Sequence, residues 1–464
     1  MHSSSAAYLF SAFAWAFLSL LWIGFFSLWF PPFAQYQTGI AAFLLAFVAI
    51  AIIRSKGRPS RLPYISFMIV YLAFHFGILP AEIMNPGVHL EQGSIYRWYY
   101  SVPFVREALN LSMVFLIGYI LASFTPEPKL TQRISAQHMP TETRQYYDRY
   151  FLALLSVVCG AWFFIVFIAL GITNYVLYNE LARGSNSGIF QTFLIFSYPL
   201  IGLIFLLGLF YSRKVAPLMA VFGLWGVSAF VTGLRGEVLF PLAMSMPILI
   251  IQGRIRFRPI IFTLLIVVIL ISSSFVRGYR NTVSVADSLE NTSMLTGLAE
   301  LGGSLRPAYE SVRWISTGMM EFQHGASYYA PFERTFLGFV PIVERLPARE
   351  DLRLMNVAIF ELTNGGSYGF SIAAEAYINF GLLGTFFVGL VVGTVMLRFG
   401  RKAAHELPSL VLIALVYAFY YHIRQAFVGA FGSFVVVLVA GIAITSLINR
   451  KSLKSATSEV AQQE

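Results

Sequence analysis

Residues 6–30 read A-A-Y-L-F-S-A-F-A-W-A-F-L-S-L-L-W-I-G-F-F-S-L-W-F, and no Asp, Glu, Lys or Arg occurs anywhere before Arg54. A helix needs about 20 such residues to cross the hydrocarbon layer of a bilayer. The whole chain of 464 residues has the same bias: 57% is hydrophobic, 12% is charged, and the mean hydropathy is +0.71. Soluble domains carry about 25% charged residues, and this chain could not cover its surface with water-facing groups. The expected fold is an all-α polytopic membrane protein, a single integral membrane domain over 1–464. The first run lacks a basic n-region, is long and is followed by further spans, so it reads as a span and not as a cleavable signal.

Apolar runs of span length fall near 7–30, 37–53, 63–81, 108–124, 151–172, 189–211, 215–233, 237–252, 259–276, 369–397, 408–424 and 428–448. The run at 369–397 exceeds one perpendicular crossing, which predicts a tilted or kinked helix, or one that begins above the membrane. The breaks after every second span, with the tail, hold nineteen of the 32 basic residues. By the positive-inside rule this places both termini in the cytoplasm, with about twelve spans. The same placement explains the net charge of +10 as a topology device, and a nucleic-acid partner is not expected. Between spans 9 and 10 lies one long outer loop, 281–367, rich in aromatics that include Trp314, Phe322, Tyr328, Tyr329, Phe332 and Phe336. Loops of that length without structure are uncommon, so helices are expected within it.

Several chemistries are excluded. The three aspartates, Asp148, Asp287 and Asp351, form no D-x-D clamp for a metal and nucleotide sugar. P-loop, H-E-x-x-H and G-x-S-x-G motifs are missing too, which disfavours an ATP-driven pump, a zinc protease and a serine hydrolase. Cys159, the one cysteine, excludes disulfides and reads as a packing residue. No metal and no cofactor is expected.

Arginines stand at the outer ends of spans. Arg235 lies in T-G-L-R-G-E (232–237), Arg277 and Arg280 in R-G-Y-R (277–280), and Arg424 two residues after His422. One such arginine usually snorkels or pairs locally. Four on a face where basic residues are scarce favour a polyanion site, since the guanidinium fork suits phosphate oxygens. Glu375 sits near the start of the apolar helix that follows N-G-G-S-Y-G-F (364–370), where a carboxylate is costly and usually functional; the plainer reading makes it the partner of an arginine. His324 and His422 are the outer-face histidines suited to proton transfer. Tyr328 and Tyr329, with Tyr377 and Asn379, are candidates to hold sugar, although interfacial helices share such aromatic composition.

The G-L-R-G-E turn, the R-G-Y-R exit, the long outer loop and G-G-S-Y-G-F-S-I-A-A-E-A-Y-I-N-F-G (365–381) resemble the Wzy-type oligosaccharide repeat-unit polymerases of bacteria. The resemblance is sharpest over 232–424. It implies an inner-membrane glycosyltransferase whose active site faces the periplasm. Such an enzyme moves a growing glycan from undecaprenyl diphosphate onto an incoming lipid-linked repeat unit, without metal or nucleotide sugar. It implies a diphosphate-binding role for Arg235, Arg277, Arg280 and Arg424, a site role for Glu375, and a chain-length regulator as a further protein partner. The base stays open among Glu375, His324 and His422. A flippase for the same lipids would instead predict charges deep in several spans and matching halves. A related O-antigen ligase would use an outer histidine.

Overall fold

The structure is a computed structural model, and it describes residues 19, 33–55, 58–84, 98–99, 101–124, 141–172, 188–255, 267–268, 270–272, 274–275, 292–336, 350–363, 369–405 and 408–463. Among these the secondary structure is helical and no strand occurs. The helices are α1 (Phe33–Ser55), α2 (Leu62–Phe76), α3 (Ile78–Met84), α4 (Val102–Leu121), α5 (Thr141–Phe163), α6 (Gly188–Tyr211), α7 (Val215–Val231) and α8 (Arg235–Ile251). They continue with α9 (Met294–Gly302), α10 (Arg306–Ser316), α11 (Ala326–Phe336), α12 (Met355–Leu362), α13 (Ile372–His405), α14 (Leu410–His422) and α15 (Phe427–Gln463). This is an all-α membrane protein, as the composition requires: backbone polar groups in hydrocarbon must be satisfied within the segment.

Among the described residues five helices are long and apolar enough to cross a membrane, and six if the α2–α3 pair, bent by 55°, is one span. Three shorter apolar helices lie at Phe196–Tyr211, Val215–Phe230 and Leu410–His422. Span 1 of the hydropathy reading falls almost wholly, and span 9 in large part, outside the described residues. The reading at 63–81 takes the pair α2 and α3 as one helix, whereas the chain breaks between them at Gly77.

The chain forms two compact units. The first comprises 1–132, 256–401 and 419–431. Within it α4 and α13 pack through small residues: a Cβ on Gly118 would strike the backbone of Phe386, and a Cβ on Gly389 or Gly393 would strike that of Phe115 or Tyr119. Gly389 and Gly393 form a G-x-x-x-G step, the spacing that lets membrane helices approach backbone to backbone. The described parts of the long connection 281–367 contain the helices α9 to α12, as expected for so long a connection. α9 packs on α2 and α3, and α10 on α4.

α13 is not one continuous helix. Gly381 has φ +66 and ψ −160, a conformation open to glycine at little cost, and it breaks the helix into 372–380 and a longer second half. This is the kink that the overlong run at 369–397 predicts. The carbonyl of Ile378, just before the break, accepts instead from the Gln323 N–H at 2.9 Å.

The second unit comprises 133–255, 402–418 and 432–464. Its α6–α7 turn is held by Asp148, which accepts from the Ser212 hydroxyl and, at 2.6 and 3.2 Å, from the Arg213 and Lys214 N–H groups. The α7–α8 turn ends in a Schellman closure: Gly233 has φ +85, and the Leu234 N–H donates to the Ala229 carbonyl at 2.9 Å. That turn sets Arg235 at the first position of α8, with its side chain buried.

Candidate active site

Glu375 and Asn379 are four residues apart in the first half of α13, so both face the same way. The N-terminal turn of α11 lies against that face. The Ser327 hydroxyl donates to Glu375 Oε1 at 2.6 Å. The Asn379 amide donates to Ser327 Oγ at 2.7 Å and to the Glu375 backbone carbonyl at 2.8 Å. Its oxygen accepts from the Gly325 N–H at 2.9 Å. Glu375, Asn379 and Ser327 are each no more than 1% exposed. This is a closed polar network in which each member fixes the next, the arrangement that makes buried polar groups tolerable.

The second carboxylate oxygen faces the other way. Glu375 Oε2 accepts from the Phe427 N–H, the first of α15, at 2.7 Å, so the positive end of that helix points at the carboxylate. His422 Nε2 stands 3.9 Å from the same oxygen. Its Nδ1 is 2.8 Å from the Gln425 carbonyl, which can only accept, so Nδ1 carries a hydrogen. Nε2 then faces Glu375 either as a bare acceptor or as the N–H of an imidazolium. At 3.9 Å the two are not hydrogen-bonded to each other, and each is a group able to take up or give up a proton. Among the described residues no arginine pairs with Glu375, and no group of three or more His, Cys, Asp or Glu could hold a metal.

His422 borders a cavity of about 440 Å³. Tyr328, Phe419 and Phe427 line it with Phe380, Leu383 and Phe387 of α13. The Tyr328 ring meets His422 at 6.3 Å and Phe427 at 4.9 Å, both edge to face. Further along α11, Phe332 packs on Phe431 at 4.2 Å. One stripe of the amphipathic α11 is therefore a seam against the start of α15.

Residues 9–455 match the family model described as O-antigen polysaccharide polymerase Wzy. The chain belongs to the Wzy polymerase family. It is also similar to "Protein CapE" of Staphylococcus aureus, 24% identical over 383 residues that cover 78% of this chain and 80% of that one. No solved structure matches. Wzy polymerases act on lipid-linked oligosaccharide repeat units in membranes and join them into polysaccharide, and this multi-pass chain is of that kind.

The fold of this Wzy-family chain brings together Glu375, His422, Asn379 and Tyr328 out of the residues singled out by sequence. His324 lies apart from the carboxylate on an exposed turn at φ +48, one residue before the Gly325 N–H that holds Asn379. Tyr329 is exposed, and Tyr377, two residues from Glu375 and on another face, meets Phe322 edge-on at 5.7 Å. The Arg424 guanidinium lies 5.9 Å from the Phe74 ring centroid, and Gly369 packs against its backbone. Arg235 is buried at the start of α8 in the second unit. Arg277 and Arg280 lie outside the described residues. Sequence reasoning missed Ser327, the Phe427 N–H and the apolar face at Phe380, Leu383 and Phe387. The four-residue spacing of Glu375 and Asn379 was the available signal for a shared face.

Proposed function

We propose that the chain is a metal-independent glycosyltransferase working on the outer, periplasmic face of the inner membrane, with Glu375 and His422 as its proton acceptor. The donor is a glycan on undecaprenyl diphosphate, and the acceptor is an incoming lipid-linked repeat unit. The acceptor's hydroxyl oxygen attacks the anomeric carbon of the donor. The bond from that carbon to the diphosphate breaks, and the diphosphate departs with the electron pair. The hydroxyl proton passes to the Glu375–His422 pair, which is general-base catalysis by a positioned group. Arginines take the developing negative charge, Arg424 among them, with Arg235, Arg277 and Arg280 assigned to the same task on sequence grounds. The product is an O-antigen, capsule or exopolysaccharide chain.

The observation that carries this reading is the buried Glu375 carboxylate, which among the described residues has no arginine beside it but an imidazole that itself lines a cavity. Asn379 and Ser327 hold the carboxylate in place, and the exposed Tyr329 and the half-buried Tyr377 remain for sugar contacts. The test is a reconstituted reaction: purified protein with lipid-linked repeat units should give a ladder of products, with no added metal and with a chelator present. A protein that moves the lipid across a bilayer without extending it is a carrier, and the proposal fails. Orientation is tested by Thr317→Cys at an exposed outer-loop position, which an impermeant thiol reagent should label from the periplasm.

A further inference from the structure

Glu375 is 1% exposed and His422 2% exposed, and the Nε2 atom of His422 is buried. A general base must come within about 2.6–3.2 Å of the proton it takes. In this arrangement no sugar hydroxyl reaches either group, so an element that covers them has to move. The first half of α13, the turn between α14 and α15, and the first turn of α11 meet there. α13 and α15 are helices of span length, and α13 is locked to α4 by backbone contact at Gly118, Gly389 and Gly393. The far half of α11 is anchored as well: Arg334 pairs with Asp351 at 2.7 Å, Arg353 pairs with Glu333 at 2.9 Å, and Phe332 packs on Phe431.

Residues 326–330 are built differently. Gly325, just before them, has φ +93, and Pro331, just after them, has no N–H to give to the Ser327 carbonyl. Upstream, Gly318 has φ +71, and Met319 and Phe322 are 47% and 39% exposed. Much of what holds this stretch on α13 is polar: Ser327 to Glu375, Asn379 to Ser327, the Gly325 N–H to Asn379, and the Gln323 N–H to the Ile378 carbonyl. Water replaces such bonds at a small net cost. The Tyr328 ring adds apolar contact with Phe380 and Phe427.

We propose that residues 326–330 are a gate. The turn swings about Gly325 and Pro331 and carries Ser327 and Tyr328 off the carboxylate and the imidazole, and the acceptor's hydroxyl enters in their place. The inference rests on the polymerase reading for what enters. It also accounts for two neighbours on one turn: Ser327 bonds to Glu375 and Tyr328 meets His422 edge-on, so a single movement uncovers both groups. Closure between additions returns Ser327 to Glu375 and keeps water from the base, which protects the donor linkage from hydrolysis.

The test reads opening apart from turnover. In full-length protein carrying Cys159→Ala, Ala330→Cys and Ala308→Cys put thiols at two positions that are 0% exposed, one in the gate and one in α10. An impermeant methanethiosulfonate should modify Ala330→Cys at least about tenfold faster, because a local opening exposes the first position and only wider unfolding the second. Adding Pro331→Ala supplies an N–H to the Ser327 carbonyl, and should slow both thiol modification and ladder formation about fivefold. If a thiol variant fails to fold, amide exchange of the wild-type chain decides, with 323–330 expected to exchange faster than 332–336. Equal rates at the two positions, or Pro331→Ala that leaves opening or the ladder unchanged, overturn the gate. Opening as expected in a protein that makes no ladder keeps the moving turn and refutes the polymerase reading. A ladder from a protein whose turn stays shut does the reverse.

Discussion

Glu375 and Asp351 are both about 1% exposed, both lie in the first unit, and both are surrounded by hydrogen-bond donors. Their neighbours differ in kind. Asp351 is enclosed by guanidinium groups: Arg334 Nη2 donates at 2.7 Å and Arg353 Nε at 2.9 Å, while Arg353 Nη1 reaches on to Glu333 at 2.9 Å. Burial pushes the Asp351 carboxyl up, but the bonds from Arg353 and Arg334 outweigh it and hold the group at about 2. Its charge is fixed, and it ties α11 to the start of α12. Glu375 receives a hydroxyl, a backbone N–H and an imidazole. The arginine-partner role considered for Glu375 from sequence is the one that Asp351 fills. A carboxylate saturated by cations is a strut; one whose neighbours are neutral or titratable can exchange a proton.

Neutralising each carboxylate in turn breaks or sharpens this contrast. Glu375→Gln keeps the shape and removes the base, so chain formation should fall by about 10²–10⁴ at normal abundance. His422→Asn should cost nearly as much, and the double variant no more than either alone, because groups acting as a unit are strongly non-additive. Ladder assays on all three proteins check this, and additive losses would separate the pair. Ser327→Ala removes one bond to the carboxylate and one acceptor for Asn379. A hydrogen bond to a charged group contributes about 1.5–3 kcal/mol, so a loss of turnover of about 10- to 100-fold is expected, at the low end of that for Glu375→Gln.

The smallest effect on turnover belongs to Asp351→Asn. It should lower thermal stability by about 1–3 kcal/mol while leaving the rate per folded molecule unchanged. The acid dependence has a definite sign. A carboxyl held at about 2 in the folded state, against about 3.9 unfolded, stabilises fully above the unfolded value and loses that contribution as pH falls toward 2. Between pH 7 and pH 5 the Asp351 contribution should therefore stay constant. Melting curves of wild type and Asp351→Asn should run parallel over that range and converge only in stronger acid. A rate loss in Asp351→Asn like that of Glu375→Gln would erase the distinction between the two carboxylates.

Sequence determined the class of this protein because hydrophobicity is a sum over residues and needs no partner. A charge-free stretch before Arg54, a run at 369–397 too long for one crossing, and a loop of aromatics too long to be coil each state a physical requirement that the helices meet. Sequence also pointed to Glu375, since the cost of a carboxylate in an apolar helix is local. The pairings were a different matter. That Ser327 and His422 close on Glu375 from 48 and 47 positions away, and that Arg334 and Arg353 close on Asp351, depends on which helices touch. Periodicity fixes the face a residue takes on its own helix, and nothing in it fixes which helix comes to meet that face. Only the tertiary structure decided that, through backbone approach at Gly389 and Gly393 and the break at Gly381 that seats α11 on the first turns of α13.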